Sequence, residues 1–229
     1  MNKNIFVVLT QQRSGSIWLS TLINEHASIV LLPELFQVNK KNEEGYYNGK
    51  GSIREFVLDL IASNNYHTVG FKLMFDQIEH YPDIVRVLKE LNVKIIRLKR
   101  NNLLDIHVSK LVANKNKVWA SGDSNKLSSL SPVNVNLETL ISDLDKLKKM
   151  SVELDAIAAD FPTYELSYEE LYKEISLLNG VFEFLGVDEI SIKNEKTKKI
   201  VKSKELSVEN WPSVCQVISN SSYRGMEKI

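Results

Sequence analysis

The chain reads as an α/β protein on a central, mostly parallel sheet flanked by helices, and three observations predict it. Short apolar runs such as Ile5-Phe6-Val7-Val8-Leu9 and Val93-Lys94-Ile95-Ile96-Arg97-Leu98 suit strands covered on both faces. Amphipathic stretches alternate with them, as crossover helices between parallel strands require. The 229 residues, 43% hydrophobic and 25% charged, suit a single domain over 1–229.

In chain order, the pattern predicts strands near 4–9, 67–73, 93–98 and 162–166. Helices are expected near 16–26, 52–62, 76–91, 102–113, 136–159, 168–185 and 207–219. In the first, Ile17, Leu19, Leu22 and Ile23 fall on one face. Over 136–159, Leu137, Leu140, Ile141, Leu144, Leu147, Val152, Leu154 and Ile157 form a stripe that reads as core. Segments 37–51 and 114–135 carry no period; loops of that length inside a domain are usually functional.

Formal net charge is zero, with a pI near 6.9, so no bulk field advertises nucleic acid or an anionic membrane. An anion site must then be a local cluster. The one cysteine, Cys215, excludes an internal disulfide; its neighbours Val214, Val217 and Ile218 mark a buried structural thiol. The first strand starts within a few residues of Met1, leaving no room for a signal peptide, and no apolar run reaches membrane-spanning length. The expectation is a cytoplasmic protein without a transmembrane segment.

Chemistry concentrates where the first strand meets the first helix, at Arg13-Ser14-Gly15-Ser16-Ile17-Trp18. A strand, a small-residue turn and a helix N-terminus make an anion cradle, because first-turn N–H groups point outward unpaired and the helix dipole favours negative charge. Gly15 permits close backbone approach, while Arg13, Ser14 and Ser16 add a charge and two hydroxyls. The nucleotide P-loop is a different pattern, for its first Gly and its Lys-Ser/Thr pair are missing. After the strand at 93–98, Arg100 and Ser109 could converge on a second anion, with Asn101 or Asn102 as N-cap. Lys72 ends another strand, and Glu34 sits in Leu31-Leu32-Pro33-Glu34-Leu35-Phe36, a carboxylate amid apolar residues of the kind that serves as a general base. Lys199 and Lys202 lie in a basic run that also reads as a solvated surface.

The first of these motifs resembles the 5′-phosphosulfate loop of sulfotransferases that use 3′-phosphoadenosine 5′-phosphosulfate (PAPS). Arg100 to Ser109 is similar to R-x-N-x-L-x-x-x-V-S of bacterial members related to carbohydrate sulfotransferases. Tyr168-Glu169-Glu170-Leu171, Glu183-Phe184-Leu185-Gly186-Val187, and the ending through Asn210-Trp211 to Ser222-Tyr223 resemble further family segments in the right order. The resemblance covers nearly the whole chain and implies a P-loop-like three-layer fold. It also implies PAPS as donor co-substrate, no metal, and a hydroxyl acceptor on a carbohydrate, glycolipid or small metabolite. The 5′ end would be held by Arg13, Ser14, Gly15, Ser16, Ile17 and Trp18, and the 3′-phosphate by Arg100 and Ser109, with Lys199 or Lys202 closing over it. Arg13 and Lys72 would neutralise charge at the sulfuryl end.

Two positions depart from the family pattern. Met74 stands where cytosolic members carry a catalytic His, which passes the base to Glu34, as in a P-x-E-x-F element; His80 and His107 are rivals on chemistry alone. Ile17 replaces a hydroxyl donor. A P-loop-type nucleotide kinase lacks support, with neither the Lys-Ser/Thr pair nor an Asp pair for magnesium. A non-catalytic PAPS-binding protein is the other reading that Met74 and Ile17 leave open. The acceptor would be set by 37–51 and 114–135, and the oligomeric state is open.

Overall fold

A computed structural model describes residues 3–119, 130–192 and 203–228. Strands β1 (Asn4–Thr10), β2 (Ile29–Glu34), β3 (Thr68–Met74), β4 (Lys94–Lys99) and β5 (Thr163–Ser167) form one parallel sheet in the order β2-β3-β1-β4-β5. Helices α1 (Ser16–Ile23), α2 (Ile53–Ser63), α3 (Phe75–His80), α4 (Asp83–Glu90), α5 (Leu103–Asn116) and α6 (Leu140–Ala158) follow the strands in alternation. After β5 come α7 (Tyr168–Lys173), α8 (Leu178–Leu185), α9 (Lys204–Ser207) and α10 (Trp211–Ser219).

The expected alternation holds, with three differences. Strand β2 is additional. Pro33 hides it in the sequence, because proline cannot donate to a ladder. The structure accommodates Pro33 by placing β2 at the sheet edge, with a register shift between Leu32 and Glu34. The expected helix over 76–91 is two helices. Tyr81, ahead of Pro82, takes φ −125°, ψ 68°, outside the helical region as a pre-proline residue prefers. The stretch 168–185 also divides, at Glu174, whose backbone is extended.

The described chain separates into two compact units. The first, Met1–Lys99 with Ser151–Asn194, holds the sheet. Alternation assigns its faces: Phe6, Val8, Ile96 and Leu98 pack with Leu19, Leu22, Val181 and Phe182, while Val7, Leu9 and Ile95 are buried on the other face. The second unit is Arg100–Met150 with Glu195–Ile229. Its core joins Leu104, Val108 and Val112 of α5 to Leu140 and Leu144 of α6 and to Val214 and Ile218 of α10. Val152, one of the expected stripe residues, is exposed, and Cys215 is half-buried rather than buried. Among the described residues no helix is long and apolar enough to cross a membrane.

Candidate active site

In a parallel sheet the loops that follow the strands share one edge, where ligands of open α/β folds bind. The first of these loops turns from β1 into α1. Its backbone is left-handed at Arg13 (φ 66°) and Gly15 (φ 91°). A non-glycine residue held there costs on the order of 1–3 kcal/mol, the kind of strain that collects at functional sites. Gly15 is the α1 N-cap and no side chain caps the helix, so its first-turn N–H groups face outward. A Cβ on Gly15 would stand 2.3 Å from Cδ2 of Tyr168. Glycine is therefore required twice, by φ and by the Tyr168 ring.

Side chains set the loop from below. Ser14 is fully buried, its Oγ 2.7 Å from Thr10 Oγ1 at the end of β1. Trp18 meets Tyr168 edge-on at 5.7 Å and Tyr172 at 5.9 Å between centroids. Among the described residues, the Trp18 indole N–H and the Gln11 amide oxygen are buried without a hydrogen-bond partner. Buried polar atoms rarely stay unsatisfied, and both belong to this loop or its helix. Ser16 is buried, and Ile17, at the position of a family hydroxyl, is exposed.

Beside β1, Lys72 lies level with Val8 and Met74 with Thr10. Lys72 is 7% exposed, and its Nζ stands 3.6 Å from Glu34 Oε1, on the neighbouring edge strand. Gln37 Nε2 donates to Glu34 Oε2 at 2.8 Å, and Gln77 Nε2 stands 3.5 Å from the same oxygen. The expectation of a carboxylate among apolar residues is thus corrected: Glu34 is half-buried and held by a cation and an amide. Gln12 Nε2 on the loop donates to Asp76 Oδ2 of α3 at 3.2 Å, tying the two strand ends together. The β2 bulge after Leu32 brings Glu34 level with Lys72.

In the second unit, Asn102 caps α5 and accepts from the Asp105 N–H at 3.0 Å, which settles the choice between Asn101 and Asn102. Arg100 Nη2 pairs with Asp105 Oδ2 at 2.8 Å, and Lys204 Nζ pairs with Asp105 Oδ1 at 3.0 Å. Lys204 also donates to the Met226 carbonyl at 2.9 Å and is 6% exposed. Burial alone pushes the Asp105 carboxyl up, but Arg100 and Lys204 outweigh it and hold the group below the usual carboxylate range. Ser109 is buried on the same helix. Lys199 and Lys202 lie outside the described residues.

Lys204 was not among the sequence candidates, since one lysine in a lysine-rich run carries no distinguishing signal. Its place seven residues ahead of Trp211 is the available clue. Of the rival bases, His80 is exposed and its ring stacks edge-on against Tyr81. His107 is half-buried on α5; burial lowers its pKa, and Asp143 opposes that.

No protein-family model matches the chain, and no curated protein matches its sequence. The fold is similar to that of solved sulfotransferases. The sulfotransferase of Alicyclobacillus acidocaldarius superposes with a TM-score of 0.55 at 12% identity, over 96% of this chain and 92% of that one. The sulfotransferase domain of the Synechococcus PCC 7002 olefin synthase gives 0.51 at 15% identity, over 93% and 83%. At such identities the likeness defines the fold. This chain has the P-loop-like α/β fold of the sulfotransferases, a central parallel sheet flanked by helices.

Proposed function

We propose that the chain is a single-domain sulfotransferase that moves a sulfuryl group from PAPS to a hydroxyl acceptor. The observation that carries this reading is the Lys72–Glu34 pair on strand ends next to the Gly15 loop. On this reading Glu34 is the general base and Lys72 the cation beside an anion cradle. The residues suit the donor: the loop offers a close-approach glycine and an uncapped helix N-terminus, and Trp18 beside it has a buried N–H without a partner among the described residues.

In the mechanism, Glu34 takes the proton from the acceptor O–H as its oxygen attacks sulfur. The bond from sulfur to the 5′-phosphate oxygen breaks, and negative charge grows on that oxygen. Arg13 and the N–H groups of Gly15 and Ser16 stabilise it. Lys72 pairs with Glu34 and presents a positive charge to the sulfuryl oxygens. Positioning and charge neutralisation are the protein's contribution, as in phosphoryl transfer. In this reading Arg100, Ser109 and Lys204 bind the 3′-phosphate.

Two measurements test this. Adenosine 3′,5′-bisphosphate, the donor without its sulfuryl group, should bind and raise the melting temperature. Transfer of labelled sulfate from PAPS to a hydroxyl acceptor should follow, with polyhydroxylated compounds screened first. A melting temperature unmoved at millimolar nucleotide would overturn the proposal.

A further inference from the structure

Glu34, the proposed base, carries two carboxyl oxygens, and its surroundings treat them differently. Gln37 Nε2 donates to Oε2 at 2.8 Å, and Gln77 Nε2 stands 3.5 Å from the same atom, at the limit of a hydrogen bond. On the other side, Lys72 Nζ lies 3.6 Å from Oε1, too far for a hydrogen bond and close enough for a charge pair. All four residues belong to the unit that holds the sheet.

The amide of Gln77 cannot be turned round. It is buried, and its Oε1 accepts from the Met74 N–H at 3.3 Å, at the start of α3. A backbone N–H only donates, so the oxygen of Gln77 must face Met74 and its NH2 group must face Glu34. Gln37 has the same polarity for a simpler reason: an ionised carboxylate only accepts, so the NH2 group is the end that meets it. Oε2 is thus approached by N–H donors from two residues. A proton taken up on Oε2 would set an O–H against an N–H and displace one of them. On Oε1 it displaces neither, and Oε2 keeps both amides as the carbonyl oxygen of the acid. The two amides therefore favour one division of roles between the oxygens, before and after the proton arrives.

We propose that Gln37 and Gln77 are positioning residues for the base: their amides engage Glu34 Oε2 and leave Oε1, on the Lys72 side, to take the proton of the acceptor O–H. The acceptor O–H bond breaks as its oxygen bonds to sulfur, the bond from sulfur to the 5′-phosphate oxygen breaks, and the proton ends on Oε1. Gln37, with the shorter contact, carries more of this role than Gln77. Without its amide the carboxylate is free to turn and close on Lys72. The inference rests on the reading of Glu34 as general base given above.

The test follows labelled sulfate released from PAPS with water as the acceptor probe, in the full chain and in its Gln37→Met, Gln77→Met and Glu34→Gln variants. The dissociation constant of adenosine 3′,5′-bisphosphate is measured alongside. Gln37→Met keeps the length of the side chain and removes the donor. It is expected to lower kcat roughly tenfold, as loss of a hydrogen bond to a charged group implies, and to leave KM for PAPS, nucleotide affinity and melting temperature unchanged. Gln77→Met should act in the same direction and by less. In the Glu34→Gln background, Gln37→Met should change the residual rate no further, because the amide acts only through Glu34. An unchanged kcat, a loss confined to KM, or an undiminished loss in the Glu34→Gln background would overturn the inference. Should Gln77→Met lose its fold with the Met74 contact, Gln37→Met, at a half-buried position, carries the comparison alone. If the unmodified chain releases no sulfate, or Glu34→Gln releases it as fast, the reading of Glu34 as base fails first, and that outcome is distinct from any result with the glutamine variants.

Discussion

In the function proposed above, the Gly15 loop and the Arg100 cluster answer the same problem, binding an anion on a protein of zero net charge, with opposite materials. In the loop, one cation, Arg13, is joined by outward N–H groups and by hydroxyls set from beneath through Thr10. The backbone is the proposed binding surface, and its shape is fixed by left-handed geometry and the ring of Tyr168. In the Arg100 cluster the surface is made of side chains: half-buried Arg100 and buried Lys204 share one carboxylate, Asp105. A backbone site is rigid and tolerates little change at its glycine. A side-chain site can be retuned residue by residue, and its balance depends on the counter-charge. The substitutions below probe that difference.

The largest effect is expected at Glu34, the proposed base, which belongs to neither proposed binding surface. Glu34→Gln keeps the volume, and the amide can still accept from Gln37. Transfer should slow by roughly 10²–10⁴-fold, the worth of a general base, with nucleotide affinity retained. Full transfer in the variant would move the base elsewhere, and His107 would be the next residue to change.

Gly15→Ala attacks the backbone surface directly. The new Cβ meets Tyr168 and must be held at φ 91°, a strain of roughly 1–3 kcal/mol before the ring moves. Thermal stability should fall by about that amount, and affinity for adenosine 5′-phosphate by tenfold or more. Calorimetric titration checks both ligand and fold. Unaltered affinity would show that the loop is not a close-approach surface.

Arg100→Ala attacks the side-chain surface. Binding of adenosine 3′,5′-bisphosphate should weaken roughly 10- to 100-fold, as a lost charged hydrogen bond implies. Adenosine 5′-phosphosulfate, lacking the 3′-phosphate, should bind as before, and Arg100→Lys should restore part of the loss. Equal weakening for both ligands would erase the distinction between the two surfaces.

The same contrast explains what the sequence made legible. A backbone site writes itself into local sequence, since the strand, glycine and helix start are adjacent. The loop residues and four of the five strands were therefore readable, as was the Arg100-to-Ser109 spacing, which lies within one helix and its approach. Strand β2 was concealed by Pro33, whose sheet-edge position depends on the order of all five strands. The Lys72–Glu34 pairing depends on a bulge in that same strand. Lys204 meets Asp105 from 99 residues away in the chain (204 − 105), and such pairings leave no local trace.

The smallest effect, and the one that most sharpens the comparison, concerns Asp105. Because Arg100 and Lys204 hold its folded pKa below the unfolded value, the unfolded chain binds more protons at intermediate acidity. Its stabilising contribution is fully present above the unfolded carboxylate pKa of about 3.9, and is lost as pH falls through the lower folded value. In Asp105→Asn that acid-dependent loss should shrink by as much as one proton in the stability–pH slope. The variant should also be slightly less stable near pH 7, because Arg100 and Lys204 are left close together without their counter-charge. A 3′-phosphate can supply what the carboxylate gave. The rise in melting temperature on adding adenosine 3′,5′-bisphosphate should therefore be larger in Asp105→Asn than in the unmodified chain, while the rise with adenosine 5′-phosphate stays the same. An equal or smaller rise would mean that Asp105 orients Arg100 for the ligand instead of competing with it. The side-chain surface would then be as preorganised as the backbone one.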